Sequence, residues 1–183
     1  MNPTENLTKE HIDIKELLNI MTKIADQIKS HDVFYTQDVE DIIDFLRFFI
    51  EKSHHRKEEI FYPELVLAGI PKENESISIM LYEHVLAKNY LNEICNCVEN
   101  CKIGNDFSGE MLADSLMKYV VLLNGHIKKE ENLIFPMADK ELSKEKQNEI
   151  YQSFVDIEKN IVKEGIHEHY HKILHNLKQK YPH

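Results

Sequence analysis

The sequence contains few residues that end helices or form tight turns. Only 5 of its 183 residues are glycine, and only 5 are proline. A protein built from many strands needs frequent turns, so this scarcity favours long helices joined by few connections. A chain of this length can bury a sizeable core, and we therefore expect a single domain over 1–183.

Long apolar runs and clustered positive charge are also missing. No segment is apolar for long enough to span a bilayer, and the amphipathic N-terminal sequence lacks the continuous apolar stretch of a signal peptide. The formal net charge of −10 argues against nucleic acid or an anionic membrane as a partner, because both attract clustered lysine and arginine. We therefore expect a cytoplasmic protein without a nucleic-acid or membrane partner, and a protein partner or homo-oligomer stays open.

Cysteine is scarce and confined to one place. The 3 cysteines lie within seven residues, at Cys95, Cys97 and Cys101. An odd number in so short a span is poor evidence for a disulfide framework. We interpret them as reduced thiols that help to fill a helix interface, and a thiol redox role is the alternative.

Apolar residues recur at spacings of three and four along nearly the whole chain, which is the pattern of amphipathic helices. The predicted helices cover 8–29, a segment beginning at about 36, 76–102, 108–138, and a helical tail over about 143–180. Linkers are predicted at 68–74 and 104–109. These elements predict an all-α fold, an up-down-up-down four-helix bundle over about 7–140 with the tail packed against it.

Two details of this prediction can be checked directly. Within helix 76–102 we expect Ile79 and Leu81 to face the core together with Leu91. In the tail, Gly165 is expected to mark a kink.

One short pattern occurs twice, as "SHHRKEEIFYP" at 53–63 and "GHIKKEENLIFP" at 125–136. In each copy a glutamate follows a histidine by four residues, which gives the pairs His54–Glu58 and His126–Glu130. Four residues along a helix return to within about 40° of the starting face, so each pair projects to one side.

The first copy contains a second pair at the same spacing. His55 precedes Glu59 by four residues, which leaves a one-residue shift of register open. Aligning the shared Lys-Glu-Glu of the two copies favours His54 with Glu58. The lysines of that shared sequence, Lys57 and Lys129, are expected to be solvated.

A lone histidine precedes each copy, 43 residues earlier in one case and 42 in the other. These are His11 and His84, and a glutamate stands directly before each. In an antiparallel hairpin, an early position on one helix faces a late position on the next. All six side chains are then expected to converge at one level of the core: His11, His54, Glu58, His84, His126 and Glu130.

Four imidazoles and two carboxylates are costly to bury without a partner. This donor set suits iron, manganese or zinc rather than magnesium or calcium, which prefer oxygen ligands alone. Because a carboxylate has two oxygens, the glutamates can bridge two metal ions and leave open positions for a small molecule. One such histidine–glutamate pair is usually a surface ion pair, but its repetition with matched lone histidines favours a metal centre.

Through these motifs the sequence resembles the hemerythrin-like, or HHE cation-binding, family over about 7–140. The two repeated stretches resemble its His-x-x-x-Glu motifs, and "EHIDIKELL" and "YEHVLAKNYL" resemble its lone-histidine helices. The resemblance implies a non-haem centre of two iron ions with oxo or hydroxo and carboxylate bridges, and the same six residues as ligands. Activities in the family include O2 binding, oxygen or iron sensing, peroxide handling, and repair of iron–sulfur centres after oxidative or nitrosative damage.

The ligand set, four histidines and two glutamates, is closest to the iron-centre-repair members of that family. Oxygen carriers have a second histidine four residues after the one on the third helix, where this chain has Lys88. They also end the last motif with an aspartate five residues after the histidine, whereas Glu130 stands at four. With one imidazole fewer, we expect reaction with O2 or peroxide, as in oxidative or nitrosative stress defence, rather than reversible O2 storage. The alternative is a module without catalysis that senses oxygen or iron, or binds O2, and has a partner surface on the tail.

Two other histidine patterns are less convincing metal sites. The tail sequence "HEHYHKILH" offers no obvious carboxylate or second helix, and we expect its histidines to be solvated: His167, His169, His171 and His175. A ferritin-like site needs Glu-x-x-His on two core helices. Leu123 stands three residues before His126, which excludes that arrangement.

Overall fold

The computed structural model describes residues 1–31, 34–70, 76–103, 108–161 and 166–182, without the side chains of 161, 166 and 167. Regular structure in these ranges is entirely helical, which confirms the all-α prediction. The α-helices are α1 Pro3–Lys29, α2 Thr36–Phe45, α3 His55–Leu67, α4 Ser76–Lys102, α5 Ser108–Lys129, α6 Phe135–Glu141, α7 Lys144–Ile161 and α8 Ile166–Lys180. Two π-helical segments, Leu46–His54 and Glu130–Ile134, join α2 to α3 and α5 to α6 without a break.

Helix α1 begins five residues earlier than the periodicity predicted, because its first turn is capped. The Asn2 side chain accepts a hydrogen bond from the Glu5 N–H at 2.7 Å, and the Glu5 carboxylate accepts one from the Asn2 N–H at 3.1 Å. Pro3 occupies the first turn, where its missing N–H costs nothing. Thr4 donates to Asp139 at 2.7 Å and ties this end of α1 to α6.

The long helices pack side by side. Helix α5 packs against both α1 and α4, α4 also packs against α2, and the tail helices lie across the outside, α7 on α3 and α1, and α8 on α1 and α2. The tail helices contribute buried side chains at Ile150, Phe154, Ile157, Tyr170, Ile173 and Leu177. The predicted kink at Gly165, and residues 71–75 and 104–107 of the linkers, lie outside what the structure describes.

The expected core face of α4 is wrong at its start. Ile79 and Leu81 are 45% and 38% exposed, whereas Ile77 and Met80 are buried. This first part of α4 is apolar on more than one side, so spacing alone does not identify the face that packs.

No helix in the described ranges is long and apolar enough to cross a membrane.

The π-helical segments keep one face of each long helix turned toward the core. In an uninterrupted α-helix each step of four residues overshoots by about 40°, so five such steps would rotate a stripe by about 200°. The wider π-helical turns offset this drift. As a result, residues four apart stay buried along both continuous helical segments. From α2 to α3 they are Ile42, Leu46, Ile50, His54, Glu58 and Tyr62, and from α5 to α6 they are His126, Glu130, Ile134 and Ala138.

Candidate metal centre

A layer of histidine and carboxylate side chains separates two apolar clusters of the core. Along α1, His11 lies between Leu7 of one cluster and Ile14 of the other. The structure places all six predicted residues in this layer, each at most 2% exposed: His11, His54, Glu58, His84, His126 and Glu130.

The carboxylate of Glu58 lies between imidazoles of both repeats. Its Oε1 is 2.9 Å from His54 Nε2, and its Oε2 is 3.0 Å from His84 Nε2 and 3.6 Å from His126 Nε2. Glu130 is placed in a similar way, with Oε2 3.2 Å from His11 Nε2 and 3.7 Å from His126 Nε2. Each glutamate thus faces histidines that belong to the other half of the chain as well as to its own.

The side chains form two groups, each with donor atoms within 4.8 Å of one another. One group is His11, His54, Glu58 and Glu130, and the other is His55, Glu58, His84 and His126. Either group could hold a metal ion, since both combine imidazole nitrogens with carboxylate oxygens. Glu58 belongs to both groups and can therefore face two ions at once.

Several donor atoms in this layer lack a hydrogen-bond partner among the described residues. Among them are His11 Nε2, His54 Nε2, both oxygens of Glu58, and Glu130 Oε2. These atoms lie close together but are not aligned for hydrogen bonding. Buried polar atoms without a partner are costly, and a cation accepting their lone pairs would remove that cost. The residues present therefore fit a metal centre.

Carboxylates outside the layer orient three of the imidazoles. In each case Nδ1 meets a carboxylate oxygen, which turns Nε2 toward the centre, as is usual for metal-binding histidines. The pairs are His11 with Glu131 at 3.0 Å, His54 with Glu10 at 2.8 Å, and His126 with Glu83 at 3.0 Å. These carboxylates could be found in the sequence, because a glutamate precedes each lone histidine and the last motif contains a second glutamate.

Burial disfavours charge on Glu58, His54 and His126, but these groups compensate one another. Although burial alone would raise it, the pKa of Glu58 is held well below its usual range by the charge of His54 and the other facing imidazoles. Against the effect of burial, Glu58 and Glu10 raise the pKa of His54 to about 10, and Glu130 and Glu58 do the same for His126. Without metal, protons on these imidazoles balance the carboxylate charge.

His55 is a member of the layer that sequence reasoning did not select. It entered only as a register alternative to His54, yet the structure turns both rings inward, and His55 is 1% exposed. Its ring stacks on that of His84 with centroids 4.0 Å apart. Nδ1 lies 3.2 Å from Glu51 Oε1, too poorly aligned for a hydrogen bond. Burial and the neighbouring His84 hold the pKa of His55 well below its usual value, so its imidazole is neutral.

The prediction that Lys57 is solvated is wrong. Its side chain is completely buried and donates to Asn6 at 3.0 Å, to Glu158 of α7 at 2.6 Å, and to Glu10. Helix α7 covers this side of α3, which the sequence of the repeat could not reveal. Lys129, the matching lysine of the second repeat, is 39% exposed and bonds Glu83.

Lys88 does not enter the layer. Its side chain is 50% exposed, and Nζ lies 3.5 Å from Glu59 and 3.7 Å from Glu51. The tail histidines also lie elsewhere, with His169, His171 and His175 exposed. The side chain of His167 is outside the described part of the chain.

The three cysteines do not contribute to the layer. All are free thiols, with Cys97 buried and the others half-buried against the core. Burial raises the pKa of Cys97 and Cys101, which disfavours the reactive thiolate. This agrees with a packing role for these residues.

A family model described as the Hemerythrin HHE cation binding domain matches residues 2–138. Comparisons with curated proteins and with solved structures gave no match. The matched range contains every residue of both donor groups and ends within α6, before the tail helices. Because it spans well over half of the sequence, the chain belongs to the hemerythrin HHE cation-binding domain family.

Proposed function

We propose that this chain is a non-haem di-iron protein that binds or reacts with O2, peroxide or nitric oxide at the buried layer, in oxidative or nitrosative stress defence. The observation that carries the proposal is the position of Glu58, whose two oxygens face separate sets of imidazoles at 2.9 and 3.0 Å. Iron bound there supplies redox chemistry and open coordination positions for a small molecule.

The six residues predicted from the sequence would divide between the two ions. His11 and His54 would hold one ion together with Glu130, and His84 and His126 would hold the other, with Glu58 between them. The proposed setting is an up-down-up-down four-helix bundle, in which antiparallel neighbours bring early and late positions to one level.

The surroundings of the layer favour a small and uncharged ligand. Apolar side chains close it on both sides, including Phe61 and Met80 on one and Ile50 on the other. A surface pocket reaches Glu131 and Phe135, both of which contact His11, and so offers an approach from that side. Inside, the Tyr62 hydroxyl donates to Glu130 Oε1 at 2.6 Å and fixes the orientation of that carboxylate.

The test is the visible spectrum of the reduced, iron-loaded protein prepared without air. Addition of O2, peroxide or nitric oxide should change the spectrum in the wild type, and the Glu58→Ala variant should not show the change. Cycling between air and argon then separates reversible binding from oxidation. If none of the three molecules alters the spectrum of a protein that contains iron, the proposed function is wrong.

A sensing role is the second candidate, and one contact favours it. Glu158 of the tail bonds the buried Lys57, Lys57 bonds Glu10, and Glu10 bonds His54. A change at the centre could therefore reach the outer face of α7, where a protein partner could bind. If so, hydrogen exchange in α7 should differ between metal-loaded and metal-free protein more than in α8. Equal protection of α7 in both forms would exclude this route.

A further inference from the structure

One imidazole of the buried layer is not explained by the repeated motif. His55 has both ring nitrogens without a hydrogen-bond partner among the described residues, although it is 1% exposed. A histidine that only fills space in a core normally satisfies at least one nitrogen, because an unpartnered polar atom is costly to bury. His55 instead lies with its donor atom within 4.8 Å of those of Glu58, His84 and His126.

The surroundings of His55 Nδ1 resemble those of Nδ1 in three of the predicted ligands. Nδ1 lies 3.2 Å from a carboxylate oxygen of Glu51, which is itself largely buried. His11, His54 and His126 each have such an outer carboxylate at Nδ1, and this arrangement is characteristic of histidines that bind metal through Nε2.

The second repeat has no counterpart to His55, because the equivalent position is Ile127, a buried apolar residue. The two donor groups, with four residues each, therefore differ in the kind of donor. One group offers three imidazoles and a shared carboxylate, and the other offers two imidazoles and two carboxylates.

We propose that His55 is a metal ligand, the third imidazole at the position formed by His84, His126 and Glu58. The proposal rests on the metal centre of the proposed function and adds that its two positions are chemically unequal. It also changes the expectation that Lys88 leaves the centre one imidazole short, because His55 of α3 supplies the imidazole that α4 lacks. The group richer in nitrogen is expected to bind a late first-row ion more tightly, because imidazole suits such ions better than carboxylate does.

The test is a titration of metal-free protein with Co²⁺ under argon, which reports binding through the visible spectrum and by calorimetry. Wild type should bind two ions with separable affinities. His55→Phe keeps an aromatic ring stacked on His84 but cannot bind metal, and His55→Gln is a second variant in case the first does not fold. Each should weaken one of the two binding steps by about 10- to 100-fold or more and change the spectrum of that step. His169→Ala, at an exposed histidine outside the layer, is the control and should match wild type.

The outcomes separate this inference from the function on which it rests. If wild type binds two ions and a folded His55 variant binds both with the same affinities and spectra, His55 is a packing residue and the inference is overturned. If folded wild type binds no metal, both proposals fail.

Discussion

The two halves of the bundle use the same contacts around the same motif. Helix α1 with the first repeat corresponds to α4 with the second, so that Glu10–His54 matches Glu83–His126, Lys57–Glu10 matches Lys129–Glu83, and Lys15–Glu131 matches Lys88–Glu59. In this comparison Lys88 is the counterpart of Lys15, and both pair with the second glutamate of a repeat. The repeat therefore specifies the carboxylates and lysines around the centre as well as its ligands.

The halves differ at three places, and these make the centre asymmetric. His11 has Glu131 at its Nδ1, whereas His84 Nδ1 has no hydrogen-bond partner among the described residues. Position 55 is histidine where its counterpart is isoleucine. Lys57 is buried beneath α7, whereas Lys129 reaches the surface. Two of these differences, at His55 and Lys57, lie in the first repeat, and the third is at His84, whose ring stacks on that of His55.

The largest expected effect comes from the two glutamates of the repeats. Glu58→Ala should remove most bound iron, because Glu58 belongs to both donor groups, and Glu130→Ala should remove less, because it belongs to one. Iron per chain measures this, with Glu149→Ala on α7 as a control. Equal iron loss in the two variants would contradict the unequal roles of Glu58 and Glu130. Full iron retention in the double variant would show that neither glutamate is a metal ligand.

The lysines of the repeats should differ strongly in their effect on stability. Lys57→Met removes one of the two buried partners of the Glu10 carboxylate, His54 being the other, and should lower the free energy of unfolding by about 3–5 kcal/mol. Lys129→Met removes a partly exposed pair and should cost within about 1 kcal/mol. Urea unfolding of the metal-free proteins compares them. A Lys57 variant as stable as the Lys129 variant would show that burial under α7 has no energetic consequence.

The metal-free protein should lose stability at alkaline pH. The pKa of His54 and of His126 is raised to about 10, so their contribution is complete below about 6.5, the usual histidine value, and disappears as pH rises through about 10. Metal already replaces these protons, so iron-loaded protein should show a smaller loss. Unfolding midpoints at pH 7 and pH 10, with and without a chelator, test this. A midpoint independent of pH in the chelated protein would contradict the imidazolium–carboxylate pairing.

The smallest expected effect on the centre comes from removing α8. A chain ending at residue 164 loses the buried residues Tyr170, Ile173 and Leu177 and should be less stable. It keeps both donor groups, so a folded truncated protein should bind the same amount of iron with the same spectrum. Loss of that spectrum would mean that the tail supplies a ligand.

The sequence predicted the all-α fold and the convergence of six side chains on one level of the core because both depend on regular spacing. Periodicity identifies helices, and a repeat of His-x-x-x-Glu with matched lone histidines identifies the level at which they meet. The spacing of the repeat could not identify His55, because the side chain points inward as a result of a π-helical turn that the local sequence does not predict. The burial of Lys57 depends on α7, and the exposure of Ile79 and Leu81 depends on which apolar side of α4 finds a partner. Both are tertiary effects.

The most direct test of the central claim is the number of metal ions bound per folded chain. Protein loaded with iron under argon, freed of excess metal and analysed for iron and protein should contain about two iron ions, one for each donor group. The Glu58→Ala, Glu130→Ala double variant, shown to be folded by circular dichroism, should contain almost none. A folded wild-type chain that retains no iron, or a double variant that retains as much as wild type, would contradict the account.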